Sequence, residues 1–279
     1  MAFIKTILRG IGQVMFQNNV YSGLLFLAGI FYNSYQLGLA ALAGTVLSTA
    51  TAHVLKYPKE ELEDGIYGFN GTLTGIAIIF FFGVSITAVL ALIAGSVLST
   101  VAMYFLKKVI SPFTAPFVLS ASIVIYSLLH LLDYPLIIST SSPESTLDLL
   151  TASSNGIGQV MFQKNVITGL FFLLAVLIND RLMALYTVYA TVLGALTGWY
   201  FNFPIAEING GFMGYNAILC AIALTGKNWR DFLWISLAIV LSSILNKGMA
   251  MMGIITLTAP FVLVTWVILK AKQFAQIKS

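Results

Sequence analysis

The chain has 279 residues, of which 59% are hydrophobic and only 9% charged, and its mean hydropathy is +0.94. Soluble domains carry about 25% charged residues, so this composition excludes one and points to an all-α, polytopic membrane protein. The net charge of +4 comes from basic residues scattered between apolar stretches, which read as topology determinants and not as a nucleic-acid surface.

From the N-terminus, "MAFIKTILRG" lacks an apolar core followed by a small-residue cleavage site, so no signal peptide is expected. The next segment is "GIGQVMFQNNVYSG" at Gly10–Gly23, whose residues Gly10–Asn19 are too short and too polar to span a bilayer. Such a segment is tolerated at membrane depth only where it is buried in protein or lines a watery cavity. A short re-entrant half-helix over Gly10–Asn19 is expected, with Asn18 and Asn19 as turn formers and caps. Five spans follow, at Val20–Tyr35, Leu37–Leu55, Ile66–Phe82, Val84–Leu106 and Ala115–Leu136.

After the linker the pattern returns. "GIGQVMFQKNVITG" at Gly156–Gly169 repeats the opening segment at an offset of 146 residues, so Gln13 maps to Gln159. "GTVLS" at Gly44 maps to "ATVLG" at Ala190, and "YGFNGTL" at Tyr67 to "MGYNAIL" at Met213, with the same offset. "FTAPFVL" at Phe113 maps to "LTAPFVL" at Leu257, now 144 residues on. The second half gives spans at Val166–Asn179, Leu182–Tyr200, Phe212–Thr225, Trp229–Leu245 and Ala259–Leu269, with Asn165 as a cap. The expected organisation is a first repeat over 1–136, an external linker over 137–153 and a second repeat over 154–279.

Five spans per half force the second repeat to insert upside down. With the N-terminus in the cytoplasm, Lys5, Arg9, Lys56, Lys59, Lys107, Lys108, Arg181, Lys227, Arg230, Lys270, Lys272 and Lys278 all fall inside. Only Lys164 and Lys247 fall outside, and the linker carries acids but no Lys or Arg, as the positive-inside rule requires. Both termini are therefore expected on the cytoplasmic side of the cell membrane, with ten transmembrane helices between lipid-facing surfaces.

Three repeated blocks carry the chemistry. Two half-helices entering from opposite faces would bring Gln13 and Gln159 into a pore. In the second block, Phe69 and Leu73 are one turn apart, as are Tyr215 and Leu219, and Phe212 precedes Tyr215 by three; taken alone, such stripes are core packing. In the third, Thr114 and Thr258 stand two residues before Pro116 and Pro260, which break the helix and strip upstream carbonyls of ladder partners. Hydroxyls and carbonyls together would make a row of oxygens along a cavity.

At these blocks the chain resembles the urea transporter family, the trimeric channels of bacteria and vertebrates, and the match spans both halves. The resemblance rests on "LRGIGQVMFQNNVYSGLLFLAG", "GTVLSTATA", "GIYGFNGTLTGIAI", "FTAPF" and "LTAPF". It implies a homotrimer with one narrow pore per protomer, between the inverted halves. It further implies polar anchors at Gln13 and Gln159, slot walls at Phe16, Phe69, Leu73, Val160, Phe212, Tyr215 and Leu219, and midpoint threonines at Thr114 and Thr258. The chain departs from the family where Val20 and Val166 replace the proline of "NNP", and where "IS" at Ile110–Ser111 and "II" at Ile254–Ile255 replace "LP". Some members also carry Glu at the position of Gln159.

The implied cargo is urea, a flat neutral solute whose N–H donors suit oxygen acceptors along a slot between rings. An enzyme would need a nucleophile–base pair or metal ligands on facing helices, and no such set is present. His53 and His130 stand apart without carboxylates at ligand spacing, and the lone Cys220 excludes a disulfide or a cysteine-rich metal site. Neither metal nor cofactor is expected. Two alternatives remain: a channel for ammonia, water or short-chain amides, and an ion-coupled carrier. A carrier usually needs an intramembrane carboxylate, for which Glu207 is the best candidate.

Overall fold

Every element in the computed structural model is helical among the described residues, which are 2–137 and 144–277. Residues 138–143 of the expected linker, and Lys278, lie outside them. Two compact units divide the chain, Met1–Thr140 and Ser141–Ser279. In the first, the helices are α1 (Ala2–Gln13), α2 (Val20–Asn33), α3 (Tyr35–Val54), α4 (Lys59–Glu63), α5 (Gly68–Phe82), α6 (Ile86–Leu106) and α7 (Ala115–Leu131). In the second they are α8 (Leu149–Gln159), α9 (Val166–Leu177), α10 (Arg181–Tyr200), α11 (Ile205–Asn209), α12 (Tyr215–Ala223), α13 (Trp229–Met251) and α14 (Ala259–Ile277). The order and most boundaries repeat at the offsets seen in the sequence.

Four helices, α3, α6, α10 and α13, are long and apolar enough to cross a membrane. At 1.5 Å per residue, their 20 to 23 residues match a hydrocarbon core of about 30 Å. Helices α2, α5, α7 and α9 are apolar but shorter. The chain is a membrane protein. The third expected span of the second half, Phe212–Thr225, is a nine-residue helix, about 14 Å long. Its start is cut back because "INGGFMG" turns on Gly211 at φ +83. The last spans differ the other way: α13 continues to Met251 and α14 to Ile277.

Helix starts follow local capping chemistry. Asn19 accepts from the Tyr21 and Ser22 amides at 2.8 and 3.2 Å, and Asn165 accepts from the Thr168 amide at 3.0 Å. Asn18 does not cap: its Nδ2 reaches across to Asp64 Oδ1 at 3.0 Å. Replacing Asn19 by alanine is expected to cost about 1 kcal/mol, read as a lower thermal unfolding midpoint in detergent. An unchanged midpoint would deny the cap its stabilising role.

The repeated polar segment is built differently from the expected half-helix. The helix lies upstream, as α1 and α8, and Gly10–Asn19 supplies its last turn and the reversal into α2. Phe16 and Phe162, at φ 62 and 61, occupy the left-handed position that commonly ends a helix and usually belongs to glycine. Gln17 and Gln163 clamp the reversal. Each is fully buried, and each donates Nε2 to a backbone carbonyl two residues back, Met15 at 2.5 Å and Met161 at 2.6 Å. The returning helix then lies against the first one at Gly23 on Leu8, and at Gly169 on Ser154.

Candidate functional site

In the first unit, Gln13 is the last residue of α1 and donates Nε2 to the Asp64 carbonyl at 3.0 Å. That carbonyl belongs to the loop between α4 and α5, which Gly65 turns at φ +76 so closely onto α1 that a Cβ there would lie 2.3 Å from the Gly10 nitrogen. The second unit repeats the arrangement. Gln159 ends α8 and donates Nε2 to the Gly210 carbonyl at 3.1 Å, beside Gly211. One turn earlier, Arg9 donates to the Glu63 carbonyl at 3.1 Å, and Asn155, its repeat counterpart, to the Asn209 carbonyl at 2.8 Å. The repeat keeps the acceptor carbonyls while the second donor changes from cation to amide.

Gln13, Phe16 and Phe69 come together around one cavity of about 590 Å³. Phe113 joins them, its ring edge-to-face with Phe16 at 6.2 Å and 63°. Leu73 and Thr114 do not line this cavity. Leu73 is fully buried one turn further along α5, and Thr114, at 1% exposure, opens α7 directly behind Phe113. Phe113 and its counterpart Leu257 both adopt positive φ, 48 and 47, an uncommon conformation for large side chains.

In the second unit, Val160 and Leu219 are buried, Thr258 is 2% exposed and Phe212 is 38% exposed. Tyr215 opens α12 and is tied down by its hydroxyl, which lies 2.8 Å from Asn246 Oδ1 and 3.0 Å from Thr256 Oγ1. Asn246 Nδ2 in turn donates to the Phe212 carbonyl at 2.9 Å. The two units therefore differ in polarity at this position: a phenylalanine stands at Phe69 where Tyr215 carries a bonded hydroxyl.

Charge gathers at one edge of the first unit's cavity. Lys107 and Lys108 both line it. Lys107 pairs with Glu61 and donates to the Tyr67 hydroxyl at 2.8 Å, and that hydroxyl donates to Glu61 Oε2 at 2.6 Å. Burial alone would raise the Glu61 pKa, but hydrogen bonds from Lys107 and Tyr67, with the lysine's charge, outweigh it and hold the carboxyl below its usual range. Lys108 lies 3.8 Å from the centre of the Tyr104 ring. Glu207, the carboxylate singled out for ion coupling, is bound through both oxygens to Lys247 Nζ at 2.7 Å. Among the described residues no group of three His, Cys, Asp or Glu side chains could hold a metal.

With this geometry in view, comparison with known proteins is decisive: the family model described as "Urea transporter" matches residues 4–273. The chain belongs to the urea transporter family. This family is one of transporters, not enzymes. Urea transporter 1 of Rattus norvegicus is 32% identical over 247 residues, covering 81% of this chain and 64% of the rat protein. Urea transporter 1 of Ovis aries is 30% identical over 295 residues, covering 95% of this chain and 76% of the sheep protein. The chain thus spans a little under two thirds of the length of the rat relative. The rat and sheep relatives are longer than this chain, and the family match covers both units.

Sequence reasoning did not single out Phe113, Met103, Lys107 and Lys108 as cavity residues, nor Gln17 and Gln163 as turn clamps. The glutamines had a signal, since both recur in the repeated segment, but only the fold shows that the first of each pair reaches a distant loop and the second its own turn.

Proposed function

We propose that the chain forms a passive, channel-type pathway for urea, and for close amide analogues, between two oppositely inserted repeats of each protomer. The observation that carries this reading is the duplicated construction of the half-sites: Gln13 and Gln159 donate to equivalent loop carbonyls at 3.0 and 3.1 Å. A binding site for a single orientation needs no second copy, whereas a pathway open from both faces needs one at each mouth. Membership of the urea transporter family supports the choice of solute.

In this reading Phe16, Phe69, Leu73, Val160, Phe212, Tyr215 and Leu219 wall a slot in which a flat solute slides. The edge of the slot carries acceptors, with Gln13 and Gln159 near the mouths and Thr114 and Thr258 midway. Each polar contact contributes about 1 kcal/mol net, enough to replace water at a urea N–H and weak enough to let the molecule leave. Hydrated ions gain nothing from aromatic walls. Both termini face the cytoplasm of the cell membrane, and the family resemblance supports a homotrimer embedded in lipid. The ion pair between Glu207 and Lys247 favours a channel over a coupled carrier, because the carboxylate already has a full-charge partner.

Stopped-flow shrinkage of proteoliposomes is expected to show urea flux that saturates only weakly and does not change when proton and sodium gradients are collapsed. Strict dependence on either gradient would reject the channel. Running urea, thiourea, acetamide and ammonia side by side separates the neighbouring readings, since ammonia flux without urea flux would replace the assigned solute.

A further inference from the structure

Helices α4 and α11 have five residues each and no side-chain hydrogen bond at their starts. Isolated helices shorter than about 12 residues are marginal in water, so these two are held by what surrounds them. Helix α4 buries none of its residues, and α11 buries only Ile208 and Asn209. Yet each leads directly into the carbonyl that receives a glutamine: Glu61 stands three residues before Asp64, and Glu207 three before Gly210. Those carbonyls decide which way round the glutamine amide sits. With Nε2 of Gln13 and Gln159 engaged there, Oε1 of each, which bonds nothing among the described residues, is the atom left to accept from a solute N–H.

Both carboxylates are tied to a lysine near the end of another helix. Glu61 pairs with Lys107, just past the end of α6, and Glu207 pairs through both oxygens, at 2.7 Å, with Lys247 inside α13. The carboxylates occupy equivalent places, 146 residues apart, but the lysines do not. In the 144-residue register of the third block, Met251 answers to Lys107 and Lys247 to Met103, so lysine and methionine have changed places across one helical turn. The neighbouring donor has changed too: Tyr67 gives its hydroxyl to Glu61 Oε2 at 2.6 Å, and Met213, its counterpart, has none to give. Two halves that share neither the lysine's position nor that hydroxyl share the ion pair. The lysine side chains are 16% and 15% exposed and the carboxylates 36% and 38%, so each cation sits largely out of water against a partner that water still reaches. We infer that Glu61 and Glu207 are positioning residues: through its lysine, each braces the short helix whose following carbonyl orients the mouth glutamine. This inference rests on the reading that Gln13 and Gln159 stand at the mouths of the pathway.

The test uses the full chain in proteoliposomes, with urea flux expressed per inserted protein. Glu61→Gln keeps the shape and removes the charge that holds Lys107, and flux is expected to fall about five-fold, the factor corresponding to one hydrogen bond's net contribution. Glu61→Lys, which sets two ammonium groups against each other, should fall further. Adding Lys107→Glu to Glu61→Lys restores the pair with its charges exchanged and should bring flux back to within about two-fold of the unmodified protein, because the two changes act on one interaction. A purely structural role would alter the amount inserted and leave flux per inserted protein unmoved. The same set at Glu207 and Lys247 should move in the same direction and by less, since Ile208 and Asn209 also hold α11.

A Glu61→Gln protein that inserts and conducts normally would overturn the inference, as would a charge-exchanged protein no faster than Glu61→Lys. If Glu61→Gln does not insert, Lys107→Met takes its place under the same criterion. That variant carries the residue found at Met251 and leaves no buried cation without a partner. If neither inserts, the pair belongs to folding alone, which also overturns the inference. Absence of urea flux in the unmodified protein would reject the pathway reading itself, whereas normal flux there beside an unaffected Glu61→Gln would reject only the positioning role.

Discussion

Replacing Thr114 and Thr258 together by valine is expected to slow urea flux about 10- to 30-fold while the protein still assembles. In the proposed pathway each hydroxyl offers an acceptor worth about 1 kcal/mol net to a passing N–H, and tenfold in rate corresponds to about 1.4 kcal/mol. Valine keeps the branched shape, so the loss falls on hydrogen bonding more than on packing. Both positions are nearly fully buried, at 1% and 2% exposure, which means that solvent cannot supply the missing acceptor. Stopped-flow urea flux, normalised to protein that elutes as one species in detergent, measures the effect. Flux equal to that of the unmodified protein would remove the threonines from the pathway, and the proposed midpoint with them.

The second large effect is structural. Gly23→Ala is expected to abolish most of the folded yield, because its Cβ would lie 1.8 Å from the Leu8 carbonyl oxygen on α1. Gly169→Ala meets the same obstacle, 2.0 Å from the Ser154 oxygen. Backbone atoms of a packed helix cannot yield as a flexible side chain can. The cost is therefore set at no less than about 3 kcal/mol, the upper end for overpacking. Gly248→Ala provides the control, since nothing lies within 4 Å of its Cβ position and alanine is the better helix former. Size-exclusion profiles of the three variants in detergent would decide the matter. A monodisperse Gly23→Ala peak of normal height would show that the hairpin of α1 and α2 can open without loss.

Much of the candidate site was legible as a pattern because its parts are contiguous strings that occur twice. The glutamine segment, the "NGTL" and "NAIL" starts and the threonines before proline could be read from residue type and spacing. Their contacts could not. Gln13 and Gln17 stand in one segment and look alike, yet Gln13 reaches a carbonyl 51 residues away and Gln17 one only two residues back. Asn18 and Asn19 are adjacent, yet one bonds across to Asp64 and the other caps its own helix. Glu207 looked like a carboxylate in search of a role until Lys247, 40 residues on, was seen bonded to it. In each case identical chemistry receives its task from what the chain brings alongside.

The backbone departures were equally hidden. Phenylalanine has no preference for positive φ, so nothing local announces that Phe16, Phe113 and Phe162 adopt it. Only a surrounding structure that over-determines the turn can hold such residues there, as the Gln17 clamp does beside Phe16.

By itself, the sequence determined the class, the internal repetition and the residues worth watching. Those depend on composition and on spacing along the chain, which are present before folding. The tertiary structure decided which glutamine faces a loop, which asparagine serves a distant helix and which aromatic rings share a cavity. The physical reason is that a hydrogen bond or ring contact is made at about 3 to 6 Å in space, and separation along the chain does not fix that distance until the helices have packed.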